Sequence, residues 1–124
     1  MKPIHSEKAP KPNGHYSQGI LAGSTLYLST QLPADDGTPG FWQSPTRQTQ
    51  SVMESLLAVV AEAGGSAASF VRVTFYVVNI EDWAEVNGAF ADFMGDHKPA
   101  RGVLPLAALK GGWRVAADAI AVIA

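Results

Sequence analysis

Pro99-Ala100-Arg101 and Asp118-Ala119-Ile120-Ala121-Val122 bound the stretch that decides how this chain is read. It is expected to form two strands separated by a short Lys110-Gly111-Gly112 turn. The first strand opens with an arginine beside a proline, and the second carries one carboxylate, Asp118, in an otherwise apolar run. A charge inside a strand core is costly unless something satisfies it. Arg101 is therefore expected to grip an anionic ligand, with Asp118 facing the same pocket.

The bulk composition narrows what the rest can be. At 124 residues the chain reads as a single domain, 1–124, long enough to bury roughly two-thirds of its unfolded surface. A hydrophobic fraction of 47% against 16% charged residues points to apolar surface covered by another subunit. The net charge of -2 argues against a general polyanion binder, which shows a clustered basic stripe. Cysteine is absent, which excludes disulfides, thiolate nucleophiles and cysteine metal sites. With no run of about 18 apolar residues and no leader-like N-terminus, the expectation is a soluble cytoplasmic protein without membrane contact.

Outward from the C-terminal stretch, the pattern gives the order ββαβαββ. Residues 1–14, with Pro3, Pro10, Pro12 and Gly14, are expected to be an extended lead-in. Residues 16–21 and 25–29 read as a hairpin turned by Ala22-Gly23-Ser24. Residues 33–45 form a loop from which Phe41 and Trp42 are expected to pack back onto the body. Residues 46–63 read as a helix with Thr49, Val52, Met53, Leu56, Val60 and Ala63 on one face, stopped by Gly64-Gly65. Residues 70–78 alternate as a strand, with Val71, Val73, Phe75 and Val77 on one side. A second helix begins at Glu81-Asp82, buries Trp83, Val86, Phe90, Phe93 and Met94, and cannot pass Pro99. The order fits an α+β domain, one mixed sheet with both helices on one face. By strand parity the bare face would hold Tyr27, Ser29, Arg72, Tyr76, Arg101, Arg114 and Asp118, a mixture suited to a subunit interface with polar pockets.

Five segments in order carry a family resemblance: 14–19 (GHYSQG), 28–33 (LSTQLP), 70–77 (FVRVTFYV), 83–87 (WAEVN) and 99–101 (PAR). Through them the chain resembles the reactive-intermediate deaminase family, RidA or YjgF, nearly end to end. The resemblance implies a chorismate-mutase-like fold assembled as a homotrimer, sheets inward, with ligands in clefts between subunits. It implies cofactor-independent hydrolysis of reactive 2-imino and 2-enamino acids to 2-keto acids and ammonia. Carried over, Arg101 matches the arginine that holds the substrate carboxylate, a task its planar fork suits and lysine does not. Tyr16, Ser29 and Asn87 match positions lining the cleft, and Asp118 stands where the best-known branch has a glutamate that positions water or moves protons. The departures are that shortened acid, Thr30 in place of glycine, His15 in place of proline, and Gly102-Val103 after the arginine.

The residues also admit plainer roles. Arg101 could pair with a carboxylate or a C-terminus of a neighbouring subunit, and Asp118 with Arg114 or Arg72, a pair that could fix register. Tyr16 could be a packing aromatic, and Asn87 a cap. Trp42 and Trp83 read as core rather than as a stacking platform. Ser29 lacks a base, and His5, His15 and His97 share no ligand spacing, so neither a serine triad nor a metal site is expected. Three other functions stay open: a non-catalytic trimer binding a small carboxylate, the endoribonuclease activity attributed to some family members, and a pathway deaminase acting on a larger enamine. Nucleic acid is an unfavoured partner for so few basic residues.

Overall fold

Strand β6 (Val115–Val122) lies inside a six-stranded sheet in a computed structural model that describes residues 1–124 apart from the side chain of Phe41. Its neighbours are β3 (Thr25–Gln31) and β4 (Phe70–Val77). Beyond β3 come β2 (Gly19–Ala22) and β1 (Lys2–Ile4), and beyond β4 comes β5 (Ala100–Pro105). Only β4 and β5 run parallel, joined by the crossover helix α2 (Trp83–Met94), so the sheet is mixed. The middle position suits β6 because its alanines are small. Ala117, Ala119 and Ala121 are buried, and α1 (Pro45–Glu62) packs closely over them.

Helix α1 follows the local signals. Ser44 caps it by accepting the Arg47 N–H at 3.1 Å, Pro45 opens the first turn, and Gly64 leaves it at φ +94°. Val52, Met53, Leu56, Val59 and Val60 are fully buried, each worth roughly 1.5–3 kcal/mol of transfer free energy for the larger side chains. In α2 the buried stripe is Val86, Ala89, Phe90 and Met94, and the Phe90 ring meets Phe75 edge-on at 5.3 Å between centroids. Both helices cover the same sheet face. Tyr27, Leu104 and Val122 stay exposed on the other.

Several sequence expectations are corrected. The lead-in contains a regular element, β1, which pairs Lys2 with Leu21 and Ile4 with Gly19. Pro3 is tolerated there because β1 is an edge strand that needs fewer donors. The segment after it is pinned by buried Gln18, whose Oε1 accepts the Ser6 N–H at 2.6 Å and whose Nε2 donates to the carbonyls of Ser6 and Pro10 at 3.1 and 3.0 Å. The last two strands are not neighbours: β6 enters between β3 and β4, while β5 adds outside β4. Residues 110–112 are a 3-10 turn within the longer connection. In β4 the pairing with β6 slips between Phe70 and Arg72, so Val71 is exposed and Phe70 takes the core position. Trp42, 74% exposed, and Trp83, 42% exposed, are not core. The expected packing of Phe41 lies outside the described residues.

Candidate active site

Arg101 leaves β5 on the helix side of the sheet. Its partner in the parallel register is Val73, a core residue, and residues paired in register share a face. There its Nη1 donates to Asn87 Oδ1 at 2.6 Å. The guanidinium carbon stands 5.4 Å from the Trp83 ring centroid and 5.6 Å from that of Phe90. Positions 83, 87 and 90 recur at helical spacing, so one stripe of α2 supplies both rings and the amide. Trp83 is half exposed because it faces this cation rather than the core. Among the described residues Arg101 has no carboxylate partner. It borders a cavity of about 400 Å³ with walls from Phe90, Met94, His97 and Pro99. His97 Nε2 lies 2.6 Å from the Phe70 carbonyl oxygen, which can only accept, so that ring nitrogen carries the proton.

Asp118 lies on the opposite face, paired in register with Thr74. Its Oδ2 accepts two hydrogen bonds at 2.9 Å, from Thr30 Oγ1 and from the Tyr76 hydroxyl. The first depends on a bulge. Leu28 pairs with Ala119 and Gln31 with Ala117, so Ser29 and Thr30 together stand opposite Asp118 alone. Burial, followed by the hydrogen bond to Asp118 and its charge, raises the Tyr76 phenol above its ordinary value of 10.0, while Arg72 pulls the other way. Neither arginine weighed as a partner for Asp118 fills that role. Arg114 is bound to Asp82, Nη2 to Oδ1 at 2.8 Å and Nε to Oδ2 at 3.2 Å, and Arg72 makes no hydrogen bond to Asp118.

Tyr16 and Ser29 share a second cavity, of about 420 Å³, with Thr30, Leu32 and Lys110. Ser29 Oγ donates to the Ser17 carbonyl at 2.6 Å, and the Tyr16 hydroxyl donates to Asn13 Oδ1 at 3.1 Å. Ser29 is thus held by backbone, and Tyr16, 46% exposed in the single chain, also accepts the Asn13 N–H at 3.4 Å. The five singled-out residues therefore fall into two groups. Arg101 and Asn87 stand together on the helix side, while Tyr16, Ser29 and Asp118 belong to the other side, joined through Thr30. This corrects the parity assignment of Arg101 and Arg114 to the bare face; within one chain Arg101 and Asp118 lie on opposite sides of the sheet. Thr30 and Tyr76, which hold Asp118, were legible only as a departure and as a strand residue. Among the described residues no three histidine, aspartate or glutamate side chains gather as a metal site, and no helix is long and apolar enough to cross a membrane.

A family model described as Endoribonuclease L-PSP matches residues 6–123. The chain belongs to that family, the RidA/YjgF family. A RutC family protein of Pyrococcus abyssi is 35% identical over 119 residues, covering 95% of this chain and 94% of the relative. A 2-iminobutanoate/2-iminopropanoate deaminase of Salmonella typhimurium is 32% identical over 124 residues, covering 98% and 97% of the two chains. Among solved structures, E. coli TdcF with bound serine superposes with a TM-score of 0.91 at 28% identity, over 100% of each chain. This RidA-family chain thus keeps the family's fold along its full described length.

Proposed function

We propose that this RidA-family protein hydrolyses reactive 2-imino and 2-enamino acids to 2-keto acids and ammonia in clefts between the subunits of a homotrimer. The observation that carries the reading is the Arg101 guanidinium, held by Asn87 and two rings, lacking a carboxylate partner among the described residues, and bordering a cavity. A fixed, partly desolvated guanidinium binds a carboxylate by two parallel hydrogen bonds, and Trp83 and Phe90 hold its plane in place. The deaminase name of the Salmonella relative and the serine in the TdcF structure agree with a small amino-acid-like ligand.

Arg101 and Asp118 lie on opposite sides of one chain's sheet, so a substrate touching both would have to lie between two copies. The open face, with Tyr27, Leu104 and Val122 exposed, is the surface such an assembly covers. In the cleft, an enamine first moves a proton from nitrogen to carbon to become the imine. Water then adds to the imine carbon, both of its protons pass to the nitrogen, the oxygen forms the keto C=O, and the C–N bond breaks to release ammonia. Asp118, directly or through a second water, accepts and returns the proton. Imines hydrolyse unaided, so orientation of acid, water and carbon supplies a useful acceleration.

The test is ammonia release from imino acids generated freshly by an amino-acid oxidase, over a series of side-chain sizes. Arg101→Ala should lower kcat/KM by at least about 10-fold, the loss of one charge-assisted contact at 1.5–3 kcal/mol. Wild-type protein that accelerates no imine, yet is stabilised thermally by small carboxylates, would replace this reading with that of a non-catalytic binder.

A further inference from the structure

We propose that Thr30 and Tyr76 are positioning residues that clamp one oxygen of Asp118 and leave the other, Oδ1, as the oxygen that meets water or substrate. The inference rests on the reading above, in which Asp118 moves the protons of imine hydrolysis. Both donors reach the same atom, Oδ2, at 2.9 Å, and no hydrogen bond within the described residues goes to Oδ1. They come from two different strands on either side of β6, β3 and β4, so the carboxylate is held from both flanks. A free aspartate rotates and exchanges its two oxygens. One held by two fixed donors presents a single oxygen in a single direction, which is what proton transfer at hydrogen-bond range requires.

Each donor suits the task by its own chemistry. Thr30 gets there through the bulge that sets two residues of β3 against Asp118, so the extra residue re-aims a hydroxyl at the carboxylate. The Tyr76 phenol is kept protonated by its burial and by the neighbouring carboxylate, so it stays a donor and never competes as a base. Arg72, on the same strand, is the one cation acting on it, and its effect is in the opposite sense and smaller. The side chain of Asp118 is a methylene shorter than the glutamate of the best-known branch. Two hydroxyls on its rear oxygen offset the lost reach with a fixed direction.

Imine hydrolysis by Tyr76→Phe, Thr30→Val and Thr30→Ser tests this, with Arg101→Ala run beside them. Tyr76→Phe and Thr30→Val should each lower kcat about 10-fold with KM little changed, because Arg101 still holds the substrate carboxylate. Thr30→Ser, which keeps the hydroxyl, should retain most of the rate. A second readout needs no activity. The alkaline absorbance titration of Tyr76, isolated as the difference between wild type and Tyr76→Phe, should move to lower pH in Asp118→Asn. Wild-type kcat in both Tyr76→Phe and Thr30→Val, with activity still lost in Arg101→Ala, would overturn the clamp and leave the proposed function standing. A Tyr76 titration unmoved by Asp118→Asn would overturn the clamp by itself. Wild-type protein inactive on every imine would overturn both.

Discussion

Gln48 is fully buried on α1 and makes four hydrogen bonds to backbone groups far apart in the chain. Its Nε2 donates to the carbonyls of Gly40 and Gln43 at 2.7 and 3.1 Å, and its Oε1 accepts the N–H groups of Arg114 and Val115 at 2.8 and 3.1 Å. It therefore ties the loop before α1 to the start of β6, the strand that carries Asp118. Methionine in its place matches the length but satisfies none of the four. At about 0.5–1.5 kcal/mol net per hydrogen bond, and more where a group is left buried and unpaired, Gln48→Met should cost on the order of 4 kcal/mol. For a domain of this size that is a fall in Tm on the order of 10–20 °C. Urea unfolding at one fixed protein concentration measures it, since association would otherwise shift the midpoint. Gln48→Glu sharpens the test. Its carboxylate keeps the two N–H partners but faces two carbonyl oxygens, so it should be the worse variant at neutral pH. On acidification it should recover relative to wild type, because burial and the two carbonyl oxygens raise the acid's folded-state affinity for a proton, and protonation restores one O–H donor. A loss of less than about 1 kcal/mol for Gln48→Met would refute the reasoning, since the N–H groups of Arg114 and Val115 could not lose their buried acceptor so cheaply.

Two further outcomes concern packing and charge. A Cβ added at Gly65 would lie 2.7 Å from Ser69 Oγ, 2.8 Å from Ile123 Cδ1 and 2.8 Å from Val60 Cγ1, so Gly65→Ala should destabilise by about 1–3 kcal/mol in the same unfolding assay. Asp82→Asn removes the charge from the two-point contact with Arg114; with Arg114 a third exposed, the expected loss is about 1–2 kcal/mol, smaller in high salt, read by thermal unfolding at two ionic strengths.

Local chemistry determined much of this protein in the sequence itself. The three- and four-residue recurrence from Val52 to Val60 and the Gly64 stop depend only on neighbours along the chain, and they place α1 within a residue or so. The same holds for the Gly23 hairpin, whereas α2 stops at Met94, where Gly95 takes φ +67°, well before the Pro99 expected to limit it. The identity of Arg101, Tyr16, Ser29 and Asn87 as candidates was legible too, because each is a polar side chain in one of the five segments that resemble the family, and Asp118 because it is the one carboxylate in an apolar run. What lay beyond the sequence depends on pairing between distant strands. The insertion of β6 between β3 and β4 is chosen by hydrogen bonds and alanine packing that no local pattern encodes. The side on which Arg101 emerges follows from its register with Val73, and since side chains alternate with a period of two, the face is settled only by the partner strand. Two bulges shift that count, exposing Val71 in one case and turning Thr30 onto Asp118 in the other. The tertiary structure alone thus decided that Arg101 and Asp118 stand on opposite sides of the sheet, because register, unlike helical periodicity, belongs to pairs of strands.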